Sequence, residues 1–379
     1  MRVLIVHPKM DMYGGAELLI VRMTNYLAKH HIEHALLTTN LNAAIEKDLV
    51  GTQVFSYPYT RLHDFRAPLN LFRLLRVLNA GIRKHVNKFD VINVHNYPAE
   101  LSIFSSQRPV VWMCNEPPEV HVGLDAEPAF TVRRIVIAAI LGLEKQIVRK
   151  YVTEVVVADP FNAHRFNKMY GMTPHIINYG VDYRYFSEHG EEDINGRDPR
   201  RFTVLHVGML TPQKRQIESL KAIDKLRGRI SGIRLVLAGS GDENYLFSLK
   251  EFVRSRRMEN IVRFEGHVAR EQVRKLYHTS DVLLHPVGPQ GGWLAPFEAI
   301  AAKLPVIVSK DMTASNLIET NNLGVATDSY ADAVHDIYNN RSKYHEMALE
   351  RAEWVRDHLS WDNFCQEMLT VFSKAATDG

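Results

Sequence analysis

Cysteine is nearly absent from this chain: two residues, Cys114 and Cys365, in 379. Two thiols cannot build a disulfide framework, and neither stands at metal-ligand spacing, so a disulfide-stapled secreted domain and a thiolate metal centre are both excluded. A reducing compartment is expected. An excess of one charge is missing too. The 46 basic and 43 acidic side chains leave a net +3 at pH 7. Overall electrostatic attraction to nucleic acid is thereby excluded, and any membrane contact has to come from a local patch. No apolar run approaches the roughly 20 residues that span a bilayer. The longest, Ile135 to Leu143, has charges on both sides and reads as a buried helix. The opening MRVLIVHP carries one basic residue and a short apolar run, which reads as a first strand and not as a signal peptide. The expected location is cytoplasmic, either free or peripherally on the inner face of a membrane.

The length and a hydrophobic share of 46% suit two packed domains. Short apolar runs at Val3 to Val6, Ala35 to Leu37, Val91 to Val94, Val110 to Met113 and Val155 to Val157 alternate with helical patterns. The rhythm restarts after Gly196, with strands at Thr203 to Val207, Leu235 to Ala238, Val262 to Phe264, Val282 to Leu284 and Val306 to Val308. Such alternation predicts parallel sheets covered on both faces. The fold class is α/β, two Rossmann-like domains facing across a cleft. The expected division is 1–186, a charged linker at 187–201, a second domain at 202–358 and a terminal helix at 359–379.

Several loops carry residue types suited to gripping a phosphorylated ligand. Gly291 and Gly292, just before a helix predicted from Leu294, free backbone amides to turn toward an anion. Glu298, about one turn into that helix, can accept two hydrogen bonds from vicinal hydroxyls such as those of a ribose. Gly14 and Gly15 lie between the first strand and the first helix, where a backbone can approach a ligand or merely turn tightly. Lys214 lies in the loop after the strand ending at Val207, where a cation offsets charge on a departing group. His95 is expected at a strand's C-terminal end, and Glu116 just past the next strand. Leu71, Leu74, Leu75, Leu78, Ile82 and Val86 share one face of a predicted helix, with Arg73, Arg76, Arg83 and Lys84 opposite. That basic face suits solvent or anionic lipid headgroups equally well.

Taken together, Gln290-Gly291, Leu294, Glu298-Ala299 and Pro305-Val306 resemble the C-terminal half of a retaining GT-B glycosyltransferase, specifically the large family 4. The resemblance runs over nearly the whole chain. It includes Tyr13-Gly14-Gly15-Ala16-Glu17, the Asn178 to Asp182 segment, Gly239-Ser240-Gly241, and Ser360-Trp361-Asp362 at the start of a helix crossing back to the first domain. It implies a nucleoside-diphosphate sugar donor and a saccharide or lipid-linked acceptor, with no nucleic acid. By the same resemblance, Gly14, Gly15, Gly208, Gly239, Gly241, Gly291, Gly292 and Leu294 line the donor; Lys214, with Arg215, faces the diphosphate; Glu298 holds the ribose. Gln290, His95 and Glu116 lie near the reacting sugar. No metal cofactor is expected, because no Asp-x-Asp cluster is positioned for one and fixed cations take its place. Three positions depart from the family pattern: Gln290 replaces an acid, Asn115 a histidine and Met209 an arginine. Arg215 stands where glycine is usual. These departures keep two other readings open, a catalytically weak nucleotide- or partner-binding protein and a nucleotide-sugar epimerase.

Overall fold

The structure, a computed structural model, describes residues 1–59, 68–104, 106–118, 132–188, 200–289 and 293–378. It divides into two compact units, Met1–Tyr179 with Trp361–Gly379, and Gly180–Ser360.

The first unit is built on seven parallel strands: β1 (Val3–Val6), β2 (His34–Thr38), β3 (Gln53–Ser56), β4 (Val91–His95), β5 (Val110–Met113), β6 (Glu154–Val157) and β7 (His175–Ile176). Their order is β3-β2-β1-β4-β5-β6-β7. Val3 sits in register with His34 on one side and Val91 on the other, so β1 is central. The central strands β1, β4 and β5 are buried along their whole length because helices cover both faces, and only β4 interrupts its apolar run, with Asn93 and His95. Trp112 on β5 anchors one face, met edge-on by Phe166 and Tyr170 at ring distances of 5.5 and 5.8 Å. Both rings come from the helix Pro160–Tyr170, which has a well-defined start and stop. Asp159 accepts the Asn162 amide at 2.7 Å, Pro160 opens the helix, and Gly171 ends it at φ 69°.

The second unit repeats the plan with six parallel strands: β8 (Phe202–Val207), β9 (Ile233–Ala238), β10 (Val262–Gly266), β11 (Val282–His285), β12 (Val306–Val308) and β13 (Val325–Ala326), ordered β10-β9-β8-β11-β12-β13. In each unit the strand order reverses direction once, between β1 and β4 and between β8 and β11. In open parallel sheets the crevice at such a reversal is where ligands bind.

The expected alternation is present, with three additional strands. β3 is a half-exposed edge strand without an apolar run, and β7 and β13 are two residues long, too short for a periodicity to register. The expectation of a buried helix at 135–143 is corrected. A helix does run from Val132 to Tyr151, but Ile135 and Leu143 are 69% and 57% exposed while Ile137 and Val148 face inward. Apolar residues occupy both sides of this helix, so hydrophobicity alone misjudged its burial. The first unit also ends earlier than residue 186. Val181 donates its amide to Leu359, and Phe186 packs edge-on against Tyr277, both within the second unit. The terminal helix Trp361–Asp378 belongs to the first unit, burying Phe364, Met368, Phe372 and Ala375 along one stripe. Among the described residues no helix is long and apolar enough to cross a membrane.

Two carboxyls lie inside the first unit. Glu100 is fully buried in the short 3-10 turn Ala99–Ile103, and Glu144 accepts the Tyr170 hydroxyl at 2.6 Å. Burial pushes Glu144 up to about 7; burial and then the neighbouring Glu144 hold Glu100 well above the usual carboxylate range. The folded state therefore keeps protons that the unfolded chain releases near pH 4.5. The stability these groups give is full below that pH and is lost as pH rises, for Glu144 through about 7. Relative to the parent protein, Glu144→Gln is expected to gain roughly 2–3 kcal/mol in urea unfolding between pH 5 and pH 8. A pH-independent difference contradicts this assignment.

Candidate donor and acceptor sites

In the second unit the candidate site grows from loops at the C-terminal ends of neighbouring strands. The loops after β8 and β9 lie backbone to backbone. Gly208 donates to Ala238 at 3.0 Å and Leu210 to Ser240 at 3.1 Å. Gly208 and Gly239 have φ values of 155° and 149°. A Cβ on Gly239 would stand 2.0 Å from the Gly208 carbonyl oxygen, and one on Gly241 2.3 Å from that of Leu210. Only glycine permits this approach. Gly239 and Gly241, expected to line the donor, thus have a direct structural duty in shaping the loop that carries Lys214.

Lys214 ends the 3-10 turn Pro212–Lys214, and its aliphatic stem passes over Gly208, 3.8 Å from where a Cβ would be. Beneath it, His206 is buried and donates to or accepts from Ser219 at 2.9 Å. Burial, and secondarily Lys214, drive its pKa down to about 3, so the ring is neutral. Arg215 follows in the left-handed region at φ 52°. Its guanidinium makes a two-pronged ion pair with Asp311 in the loop after β12, at 3.0 and 2.7 Å.

Glu298 is the fifth residue of the helix Leu294–Ala301, and its Oε2 accepts the Tyr277 hydroxyl at 3.2 Å. Desolvation raises its pKa to about 7, against the pull of Arg270 and Tyr277. Arg270 is bonded to Asp182 and lies over the rings of Tyr185 and Phe186, 4.6 and 5.2 Å from their centroids. The Asn178 to Asp182 segment thus reaches Glu298 electrostatically through Arg270. Leu294 opens the helix, half-buried, and Trp293 packs on Phe297 at 4.5 Å. Gln290, Gly291 and Gly292 lie outside the described residues.

In the first unit, Gly14 and Gly15 are exposed at the start of the helix Gly15–Lys29, and Glu17 turns back to accept the Gly14 amide at 3.0 Å. His7, at the end of β1, stands 4.0 Å from Glu17 and 3.4 Å from the Asn96 side chain. Burial lowers its pKa to about 4. Asn115 donates to Asn96 and accepts the Tyr179 hydroxyl at 2.5 Å. The residue standing in for the family's histidine is therefore held on both sides of its amide. Glu116 is half-buried and close enough to help raise the Tyr179 pKa, after burial and Asp159. The expectation that His95 reaches a ligand is corrected: it is fully buried and bonded to Asn93 at 2.6 Å. It ends β4 as predicted, but it is closed off from solvent and kept neutral by burial. The polar groups that reach that strand end are His7 and Asn96. Neither they nor Tyr277, Arg270 and Asp311 carried a spacing signal that singled them out.

The helix Pro68–His85 presents Arg73, Arg76, Arg83 and Lys84 to solvent and buries Leu71, Leu74, Leu78 and Ile82. At its start Leu69 and Phe72 are also exposed, at 60% and 57%.

Comparison with known proteins bears on both units. Residues 13–185 match the family described as Glycosyltransferase Family 4, and residues 189–354 match Glycosyl transferases group 1. The chain is a family 4-like glycosyltransferase of the GT-B type. It is 27% identical over 180 residues to a GDP-mannose-dependent phosphatidylinositol monomannoside mannosyltransferase of Mycobacterium tuberculosis, covering 44% of this chain and 46% of that protein. It is 30% identical over 178 residues to an uncharacterized glycosyltransferase of Methanocaldococcus jannaschii, with 45% of each covered. These matches span about half the length of either relative. In fold, this glycosyltransferase is similar to the Anabaena protein HepE crystallised with UDP and glucose, at TM-score 0.78 and 18% identity over 98% of this chain and 99% of that one.

The loop contact makes a stability prediction. Gly239→Ala is expected to cost roughly 2–4 kcal/mol in denaturant unfolding, since backbone and not a flexible side chain blocks the new methyl. Gly142→Ala, where nothing lies within 4 Å of the added Cβ, serves as the control and is expected to be neutral or slightly stabilising.

Proposed function

We propose that this glycosyltransferase moves a sugar from a nucleoside-diphosphate sugar to an acceptor hydroxyl, with retention at the anomeric carbon. One observation carries the reading. Lys214, lying over Gly208, and Glu298, oriented by Tyr277, stand on segments following the adjacent strands β8 and β11, on either side of the reversal in strand order. That placement suits a ligand with an anionic tail and a pair of vicinal hydroxyls. Lys214 offsets charge on the departing diphosphate, and Glu298 accepts from the ribose. The bond from the anomeric carbon to phosphate oxygen breaks as the bond to the acceptor oxygen forms, and the acceptor's proton passes to the phosphate that leaves. No separate protein base is required. The mycobacterial relative's GDP-mannose dependence and the UDP bound by HepE make guanine and uracil nucleotides the first donors to try.

A second reading, a nucleotide-binding member with weak catalysis, is favoured by Met209. Its side chain is 55% exposed and places a thioether where the family has an arginine. Release of nucleoside diphosphate with and without acceptor separates the two readings.

The acceptor is proposed to be a saccharide or a lipid-linked saccharide, with the basic face of Pro68–His85 resting on an anionic membrane. Reversing Arg73, Arg76, Arg83 and Lys84 to Glu is expected to abolish sedimentation with anionic liposomes at low salt. Unchanged sedimentation rejects the membrane contact.

Two further outcomes test the donor site. Lys214→Ala is expected to lower transfer by about 100-fold, mainly in kcat, whereas Glu298→Gln acts mainly on donor KM. The Glu298 carboxylate accepts both hydroxyls only when ionised, and its pKa is about 7. Donor affinity is therefore expected to rise from pH 6 to pH 8 in the parent protein and to be flat in Glu298→Gln. A flat profile in the parent removes Glu298 from the ribose.

A further inference from the structure

A cavity of about 490 Å³ opens on the first unit. Among the described residues it is lined by Leu141, Gly142 and Lys145 of the helix Val132–Tyr151 and by Arg165, Lys168 and Met169 of the helix Pro160–Tyr170. Its size lies in the range of small-ligand sites, roughly 300–1,000 Å³. Helical spacing explains the lining. Leu141 and Lys145 are four residues apart, Arg165 and Met169 likewise, and Lys168 is three beyond Arg165, so each helix turns an apolar side chain and at least one cation to the same groove. Three cations meet there and no carboxylate lines it. Among the described residues none of the three is ion-paired. The acid next to Lys145 in the chain, Glu144, is buried and bonded to Tyr170. Arg165 lies over the Phe161 ring, 5.6 Å from its centroid, a stack that uses the flat face of the guanidinium and leaves its N–H edge for an anion.

Gly142 adds a second, independent sign. A glycine inside a helix costs about 1 kcal/mol against alanine. The usual reason for keeping one, a neighbour too close for any side chain, is absent here: nothing lies within 4 Å of an added Cβ. What the missing side chain leaves open is the groove. We propose that this groove is an anion site that takes a phosphate group, either free or as the headgroup of an amphiphile whose apolar chain lies along Leu141 and Met169. It stands apart from the polar groups at the strand ends. The helix Pro160–Tyr170 begins there, where Asn162 donates to the Asn115 carbonyl at 3.4 Å, and residues 165–169 lie one to two turns further along it. The inference does not rest on the nucleotide-sugar reading.

The test is calorimetric titration of the full chain with inorganic phosphate, dihexanoyl phosphatidic acid and dihexanoyl phosphatidylcholine, each below the concentration at which micelles form. The parent protein is expected to bind phosphatidic acid at least about tenfold more tightly than phosphatidylcholine, since charge and not the acyl chain leads recognition. Inorganic phosphate binding as tightly as phosphatidic acid identifies free phosphate as the ligand; weaker binding identifies a lipid headgroup. Arg165→Gln is expected to weaken the phosphate-bearing ligand about tenfold, with smaller losses for Lys145→Gln and Lys168→Gln. Gly142→Phe keeps every charge and fills the groove, and is expected to abolish binding; Gly142→Leu gives the same reading if the phenylalanine variant fails to fold by its melting curve. A parent that binds neither phosphate nor phosphatidic acid overturns the proposal, as does phosphatidylcholine binding equal to that of phosphatidic acid, or affinity undiminished in either Arg165→Gln or the Gly142 variant. Failure of UDP and GDP to bind the parent bears on the nucleotide-sugar reading alone.

Discussion

The contact on which the second unit's site depends is the one between the Gly208 carbonyl and the backbone at Gly239. No side chain fits there, and the loop after β8 lies flat on the loop after β9 as a result. That flat loop is what Lys214 folds over and what Arg215 leaves. The cations owe their positions to glycines in a neighbouring loop. Glycines in such folds are commonly credited with contacting ligand, and here two of them shape the platform that other residues use. Their ligand contact, where it occurs, is additional to that duty.

The same economy governs the polar groups around Glu298. A carboxylate largely shielded from water is costly to ionise. Arg270 and then Tyr277 lower that cost without cancelling it, and Asp182, bonded to Arg270, works weakly against them. The carboxyl remains near its titration midpoint at neutral pH, ready for stronger hydrogen-bond donors than those it has. In the first unit burial acts in the same sense, against the charged form, keeping His7 and His95 neutral and Glu100 protonated.

Much of the fold was legible in the sequence because parallel strands buried on both faces announce themselves as short apolar runs, and ten of them were found at nearly their observed positions. Three of the four edge strands, β3, β7 and β13, were not, since an edge strand needs no apolar run. The site was half legible. Lys214 and Glu298 follow from their places after strands and from the pattern around them. His95 was placed correctly at its strand end and misread in exposure, because both faces of β4 are covered and histidine at such an end can be closed off as readily as open. Asp311, Tyr277 and Asn96 act through side chains that meet only in three dimensions, from segments 96, 21 and 19 residues away from Arg215, Glu298 and Asn115. Sequence spacing does not encode such meetings.

The account's central claim is that the loops following β8 and β11 hold a nucleotide's sugar and phosphates. A crystal structure of the protein with UDP or GDP tests it most directly. The expected result places both ribose hydroxyls within hydrogen-bond distance of the Glu298 carboxylate and a phosphate oxygen on Lys214. A nucleotide bound elsewhere, with Glu298 still held by Tyr277 alone, contradicts it.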